Sequence, residues 1–501
     1  MADPEAQPAR QPSARRPTLE VLDPPLVQRI VAEALDVLGE VGVFVESDDA
    51  LALLADAGAR VDPATRRAFL PDELVWRSVR SAPSAVSIFS RDGQPALRLQ
   101  ELNVHFNPGS AAIRILDADT GQARAPVTSD VVALARLADA LPHLDAQSTA
   151  LVPADVPETI ADRYRLLLVL LNSSKPVVTG TFTREGLAVM REMLVAVAGS
   201  ERALRERPMA IFDVCPSSPL RWSSLEAESL VALARWGIPA EIVPAPLLGA
   251  TAPLSLAGAL VEHTAENLSG VVLHQLAAAG SPLIYGGSPA VFDMRYGTAA
   301  VASVESALVA CAYAQIGRFL GLPTHGYLGL SDAKLVDAQA GLESATGAVL
   351  AALAGLNVVS GAGMLEFESC QSLEKLAIDD EICGMARRLV QGIQPRGEPL
   401  AEDLRGELAG GGHFLTSPAT LQWLRSEIAF PSPLIDRLPR QTWQAEGSQP
   451  ITARARQRVR ALLAQHQPKP LADEVRRRLL DIVSHDAAQH GLARLPVIPG
   501  P

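Results

Sequence analysis

Ser331, Asp332, Lys334, Asp337 and Gln339 crowd into nine residues of the run HGYLGLSDAKLVDAQAG, 325–341, and a plain Leu330 stands directly in front of them. Carboxylates beside an amine can exchange protons with a substrate as general acid and base. The same residues can equally satisfy one another and simply fix a long loop. A second set is aromatic. Only 4% of the chain is Phe, Trp or Tyr, yet Phe106, Tyr285, Phe292, Tyr296, Tyr327 and Phe367 fall near strand ends or loops. A quaternary ammonium has no N–H to donate and is held by aromatic faces, so a cage is the chemistry these residues would serve together. Singly, each is as readily a core residue.

Other constellations carry less. His263 and Glu266 sit three apart on a helical stretch, a spacing that suits a metal, but a helix between strands points away from a barrel mouth. Cys370 and Cys383 lie thirteen apart with no His nearby in sequence and read as core thiols, so no metal site is expected. Gly361 and Gly363 in GAGMLEF let the backbone turn tightly at a strand end, beside the candidate site, rather than cradle a phosphate. Neither a P-loop nor a Gly-x-Gly-x-x-Gly after the first strand candidates is present.

The elements that must position these residues follow from periodicity. Seven short apolar runs, beginning at Leu144, Pro176, Met209, Ala240, Ser281, Leu322 and Leu356, are each followed by a helix-sized gap. Their number favours a (β/α)8 TIM barrel over a Rossmann sheet. The eighth strand is open between MLEFESC from Met364 and a piece near GGHFL. In such a barrel the site lies at the C-terminal strand ends, which read Cys215-Pro216-Ser217-Ser218, Pro244-Ala245-Pro246, Tyr285-Gly286-Gly287, His325-Gly326-Tyr327 and Gly361-Ala362-Gly363. That rim is poor in acids and bases. The expected division is a disordered tail over 1–20, an α/β extension over 21–127 with a β-hairpin-like 95–126, the barrel over 128–436 and a C-terminal helical cap over 437–501.

At 501 residues with 48% hydrophobic content, the chain is enzyme-sized. Its net charge of −12 is spread along the sequence without a basic stripe, which argues against nucleic acid as a partner. The apolar runs at 256–279 and 346–359 are broken by His263, Glu266 and His274 and by Gly347 and Gly355, so no membrane span is expected. Four scattered cysteines fit a reducing cytoplasm.

The ordered motifs SDAKLVDAQAG, LAALAGLNVVSGAGMLE, SLEKLAIDDEI, CPSSPL, YGGSPAVFDMRYGTAAVASVE and DRLPRQTWQAEGS resemble the trimethylamine:corrinoid methyltransferase family from about Leu22 to the end. In that family, members acting on trimethylamine carry pyrrolysine immediately before Ser-Asp-Ala-Lys. Here the position is Leu330, which places the chain beside the non-pyrrolysine branch, whose characterised members use quaternary amines such as glycine betaine. The resemblance implies a catalytic segment at Leu330, Ser331, Asp332 and Lys334. It also implies a methyl acceptor, the Co(I) of a corrinoid (cobalamin) on a separate corrinoid protein, with no cofactor held tightly by this chain. The small quaternary amine would meet the aromatics together with His325, Gly361 and Gly363, and Lys334 is one candidate to hold a betaine carboxylate. A different onium donor such as a sulfonium, or a quaternary-amine binding protein without turnover, stays open, as does self-association into a homo-oligomer.

Overall fold

The computed structural model describes residues 15–397 and 399–500, so most of the expected disordered tail lies outside the described residues. Its middle is built from short parallel strands, each followed by a helix. The strands are His105–Pro108, Gln147–Ser148, Val177–Thr179, Ala210–Val214, Ala240–Ile242, Leu283–Tyr285, His325–Tyr327 and Val358–Ala362. All seven apolar runs therefore contain a strand. Neither candidate for the eighth joins them: Met364–Leu365 pairs antiparallel with Cys370–Gln371, and the GGHFL piece forms a single 3-10 turn, Phe414–Thr416.

The additional parallel strand comes instead from the segment read as a hairpin. His105–Pro108 pairs with Val358–Ala362, while Pro95–Leu99 pairs with Val86–Phe89, and only Arg114–Leu116 with Ala123–Arg124 makes the hairpin around Asp119-Thr120-Gly121. The ladders form a five-stranded sheet from 283–285 through 240–242, 210–214 and 177–179 to 147–148, and a three-stranded sheet of 325–327, 358–362 and 105–108. The fold is thus α/β with parallel sheets, and its ladders do not run on into one continuous closed barrel.

Alternation along each strand decides what faces what. Ala146, Val178, Ile211, Ile284 and Val358 pack with Val86, Ile88, Leu97 and Leu99, so the 86–99 hairpin plugs the space between the sheets at the N-terminal strand ends. Two residues further along the same faces stand Ser148, Asp213 and Ser360, and the interior turns polar toward the C-terminal ends. The helices keep this arrangement by ordinary chemistry. Thr183, Ser223, Ser303, Asp337 and Ser372 each accept an N–H of the first turn and start the helix that follows.

The N-terminal helices Pro24–Glu40 and Asp72–Ser81 pack on the long helix Leu256–Ala277. Ile451–Gln465 lies against Leu373–Val390 and Thr128–Ala140, and Asp473–Gln489 lies against Arg184–Ala198 and Ala161–Asn172. Both C-terminal helices therefore run along the outer helix layer. Among the described residues no helix is long and apolar enough to cross a membrane.

Candidate active site

At the C-terminal strand ends the structure places acids that the strand-end reading missed. Asp213 and Glu241 are register partners on neighbouring strands and face the interior side by side. Tyr327 donates its hydroxyl to Asp213 at 3.1 Å. His325, fully buried, sets Nε2 3.0 Å from Ser360 Oγ and 3.5 Å from Glu241 Oε1, with its ring edge-on to Tyr327 at 5.0 Å. Asn107, from the unexpected strand, is buried with both amide atoms unpartnered. Buried polar atoms of this kind are ordinarily satisfied, so this layer has hydrogen-bonding capacity left over.

Two more carboxylates overlook it. Glu226, in the first turn of Ser224–Trp236, accepts the Cys215 N–H at 3.1 Å, and Glu368 accepts the Ser288 hydroxyl at 3.3 Å. Glu366, Phe367 and Glu368 all have positive φ, 50°, 57° and 66°. Three successive side-chain-bearing residues in the left-handed region cost roughly 1–2 kcal/mol each. The turn is closed by Ser369 N–H donating to Glu366 O at 3.1 Å, and this strained loop is what sets Glu368 over the recess. Strain of this sort tends to gather at functional sites.

Burial governs the charges. Glu241 is pushed well up, first by burial and then by the Asp213 carboxyl. Asp213 is also raised, chiefly by burial, with Glu241, Tyr327 and Arg165 pulling it back. Burial raises Glu226 and Glu368 to about 7, with Asp213 adding to both. His325 is lowered to about 3 by burial and stays neutral. Cys215 is exposed within the recess, but desolvation and the surrounding carboxylates hold its thiol well above the ordinary value, so it is no nucleophile there. Arg165, a buried cation beside the layer, donates to Thr149 O at 2.9 Å and Gly180 O at 3.2 Å and lies 4.5 Å from the Phe182 ring centroid.

The charged run of 331–339 proves to be a hydrogen-bonded loop. Ser331 Oγ donates to Glu343 at 2.5 Å, Asp332 accepts the Ala302 N–H at 3.1 Å, and Lys334 Nζ donates to the Asp332 carbonyl at 2.8 Å with Phe367 beneath it at 3.9 Å. Asp337 is simply a helix cap. Burial and Glu343 raise Asp332 to about 6. Leu330 is 2% exposed and borders a cavity of about 200 Å³ that Tyr327, Gly329, Glu343 and Gly347 also line.

The expected six-membered aromatic cage is not assembled. Tyr285 points out of the sheet into the helix layer, where its hydroxyl donates to Thr264 at 3.2 Å and its ring packs near His263 and Tyr313. Phe106 likewise leaves the interior and lies beneath Arg387 of Leu373–Val390. Phe292 and Tyr296 belong to the hairpin Ala290–Asp293 and Thr298–Ala300, with Tyr296 exposed at its tip. Tyr327 alone of the six contacts the acid layer, and Phe182, which sequence reasoning omitted, stands at the rim on Arg165. Gly361, at φ 153°, has room for no side chain, since an added Cβ would meet Leu328 O at 2.5 Å; at Gly363 it would meet Gln371 Oε1 at 2.3 Å. These two glycines serve close backbone packing.

His263 and Glu266 part company as well. His263 stacks on Tyr313 at 4.4 Å and approaches Gly286 O at 3.0 Å, while Glu266 accepts Ser218 Oγ and Leu220 N–H. Among the described residues no group of three or more His, Cys, Asp or Glu is arranged to hold a metal ion. The arrangement is therefore a carboxyl layer with a neutral imidazole and a phenol at the C-terminal strand ends, chemistry suited to receiving a small cation.

The family model described as trimethylamine methyltransferase (MTTB) matches residues 1–491. The trimethylamine methyltransferase MttB of Desulfitobacterium hafniense is 33% identical over 465 residues, covering 93% of each chain. The glycine betaine methyltransferase of the same species is 31% identical over 477 residues, covering 95% of this chain and 98% of its own. Among solved structures, the Methanosarcina barkeri monomethylamine methyltransferase (MtmB) aligns at TM-score 0.46 and 11% identity, covering 87% of this chain and 93% of that one.

Proposed function

The chain belongs to the trimethylamine methyltransferase family, in the branch with an ordinary Leu330 before Ser-Asp-Ala-Lys, and from that premise we propose that it moves a methyl group from a quaternary ammonium donor to the Co(I) of a corrinoid carried by a partner protein. The observation that carries the reading is the carboxyl layer of Asp213, Glu226, Glu241 and Glu368 beside the Tyr327 phenol, which suits a small cation whose leaving amine needs no proton. Family membership supports methyl transfer, and a relative named for glycine betaine supports a quaternary donor.

We read the two parallel sheets as one interrupted (β/α)8 barrel. Supporting this, Tyr285 N–H donates to Pro323 O at 2.8 Å and Tyr327 N–H to Gly287 O at 3.4 Å across one seam, and Asp145 N–H and Ala146 N–H donate to Phe106 O at 2.8 and 3.4 Å across the other. The site then lies at the barrel mouth. A corrinoid presented by another protein needs an open, partly apolar approach. Leu254 and Met294 are both exposed and meet over Gly249, and Tyr296 stands beside them on the hairpin tip, so the rim fits such a face.

The Co(I) supplies the electron pair of the new bond to carbon, and the C–N pair stays with the departing neutral tertiary amine. This chain orients one N-methyl outward, excludes water and holds the positive head against Asp213 and the Tyr327 phenol. No proton has to move, in keeping with a neutral His325. Partial ionisation of Glu226 and Glu368 also limits how far the cationic ground state is stabilised relative to a transition state in which that charge disperses.

A pH dependence follows. Glu226 and Glu368 titrate at about 7 when folded, above the ordinary carboxylate range, so the folded chain holds protons that the unfolded chain has already released. Stability of the free protein therefore falls as pH rises from about 5 through 7. Cation binding favours the ionised forms, so donor affinity runs the other way, rising about tenfold between pH 6 and 8 with proton release on binding. Calorimetric titration in buffers of different ionisation enthalpy checks both the trend and the protons.

The activity itself is tested by following the absorption change of Co(I) cobalamin, free and protein-bound, with purified enzyme and glycine betaine, proline betaine, carnitine, choline or trimethylamine. Methylation from a quaternary amine and none from trimethylamine is expected. No transfer from any of them would leave a sulfonium donor or a binding protein as the better account.

A further inference from the structure

The loops that follow the parallel strands contain six basic residues, and each is already engaged. Arg114 pairs with Glu366 at 3.2 Å, Arg124 with Asp130 at 2.7 Å, and Arg184 with Glu228 at 2.8 Å. Arg295 pairs with Asp293 at 2.6 Å, and Arg221 stacks 4.4 Å from the Phe44 ring centroid, on the N-terminal sheet. Lys334, the sequence-based candidate for a carboxylate partner, spends its ammonium on the Asp332 carbonyl and the Phe367 face. Beneath them, Arg165 is closed off by two carbonyls, with Asp213 and Asp162 as its nearest carboxylates.

The acids are in the opposite condition. Asp213 Oδ1 and both Glu241 oxygens have no hydrogen-bonding donor among their neighbours, and Glu226 and Glu368 are each held by a single neutral donor. Apart from the buried Nε of Arg165, the unpartnered donor in the layer is a neutral one, the Asn107 amide. The exposed N–H groups of a helix start would be one source of a partner for an anion; after five of the strands they are capped by Thr183, Ser223, Ser303, Asp337 and Ser372. Leu256–Ala277 and Ala161–Asn172 start without a side-chain cap, the former with no side-chain cation in its first turn and the latter with Arg163 already paired to Asp162 and Asp486.

We propose that the donor accepted by this recess carries no carboxylate: it is a quaternary ammonium whose remaining arm is neutral, and betaines are turned away by the acids around Asp213, Glu226 and Glu368. The inference rests on the reading of the recess as an onium methyl-donor site. It parts the chain from its glycine betaine relative in the substrate's tail and keeps the head in common. Like charges at these separations in a partly desolvated site are worth an order of magnitude or more in affinity.

The test is a binding comparison at pH 8 between choline, tetramethylammonium and glycine betaine, by calorimetric titration of the full chain. Choline and tetramethylammonium should bind at least about tenfold more tightly than glycine betaine. Glu368→Gln should shrink that ratio several-fold with the melting temperature maintained, and Glu226→Gln serves if the first variant does not fold. Glycine betaine binding as tightly as choline overturns the inference, as does a ratio that neither variant changes. The two readings fail separately. Methylation of the corrinoid preferentially from glycine betaine would remove the proposed tail but keep the activity, whereas selective choline binding with no transfer from any donor would remove the activity and keep the selectivity. No binding of any onium compound would overturn both.

Discussion

Replacing Asp213 with Asn lowers kcat/KM for a quaternary donor by about two orders of magnitude, with the loss carried by KM and kcat almost unchanged. Asp213 is a half-buried carboxylate of the layer, tied to the Tyr327 hydroxyl and beside Glu241 on the neighbouring strand. Asn keeps the size and accepts the same phenol, so the fold has no reason to change. What disappears is the charge facing the ammonium, and a partly desolvated charge contact is worth roughly 2–3 kcal/mol. The methyl leaves with no proton transfer, so a counter-ion stabilises the bound donor as much as the transition state or more, which is why the split falls on KM. Steady-state kinetics over a wide donor range reads it, and an equal fall in kcat at constant KM would make Asp213 a catalytic group rather than a binding one.

The second large effect is on stability. Arg163→Met should cost about 3–5 kcal/mol, because it strips a buried cation from two buried carboxylates. Arg163 is fully buried, with Nε 2.5 Å from Asp486 Oδ2 and a terminal nitrogen 3.0 Å from Asp162 Oδ1. Asp486 belongs to Asp473–Gln489, so the pair is the polar bolt that fixes this helix to the outer layer. A lowered melting temperature and protease cleavage around 466–473 are expected. The double replacement Arg163→Met with Asp486→Leu should recover much of the loss, since an apolar pair leaves no orphaned charge. Equal instability of the single and double variants would assign the effect to packing instead.

The parallel strands were legible because seven of them are runs of apolar residues with helix-sized spacing. His105–Pro108 was not, since HFNP is short, contains Asn and Pro, and sits among antiparallel neighbours. Its partner in the structure is Val358–Ala362, more than two hundred residues away in the chain, and no local pattern encodes that pairing.

The carboxyl layer at the strand ends was not legible from the residues that follow each strand. Attention to the residues just after each strand led to glycines and prolines, whereas the acids lie one step inside. In AIFDV, Ile211 faces the interior, so Asp213 two residues on must do the same. Parity would also have removed Tyr285 and Phe106 from the cage: Ile284 and Asn107 face inward, and their neighbours therefore face the helices. Glu368 could not be found this way, because its position depends on a left-handed turn that no glycine announces. The run at 331–339 misled for a different reason. Hydrogen bonding to backbone, to Glu343 and at a helix start uses the same residue types as proton transfer does.

The central claim, that this recess delivers a methyl group from a quaternary nitrogen to cobalt, is tested most directly by following a 13C-methyl label. Choline labelled on its N-methyl groups, incubated with the enzyme and Co(I) corrinoid protein, should give a cobalt-bound 13C-methyl resonance and one equivalent of N,N-dimethylethanolamine for each cobalt methylated. Label that stays entirely on the donor, while the donor is measurably bound, would contradict the account and leave a cation-binding protein in its place.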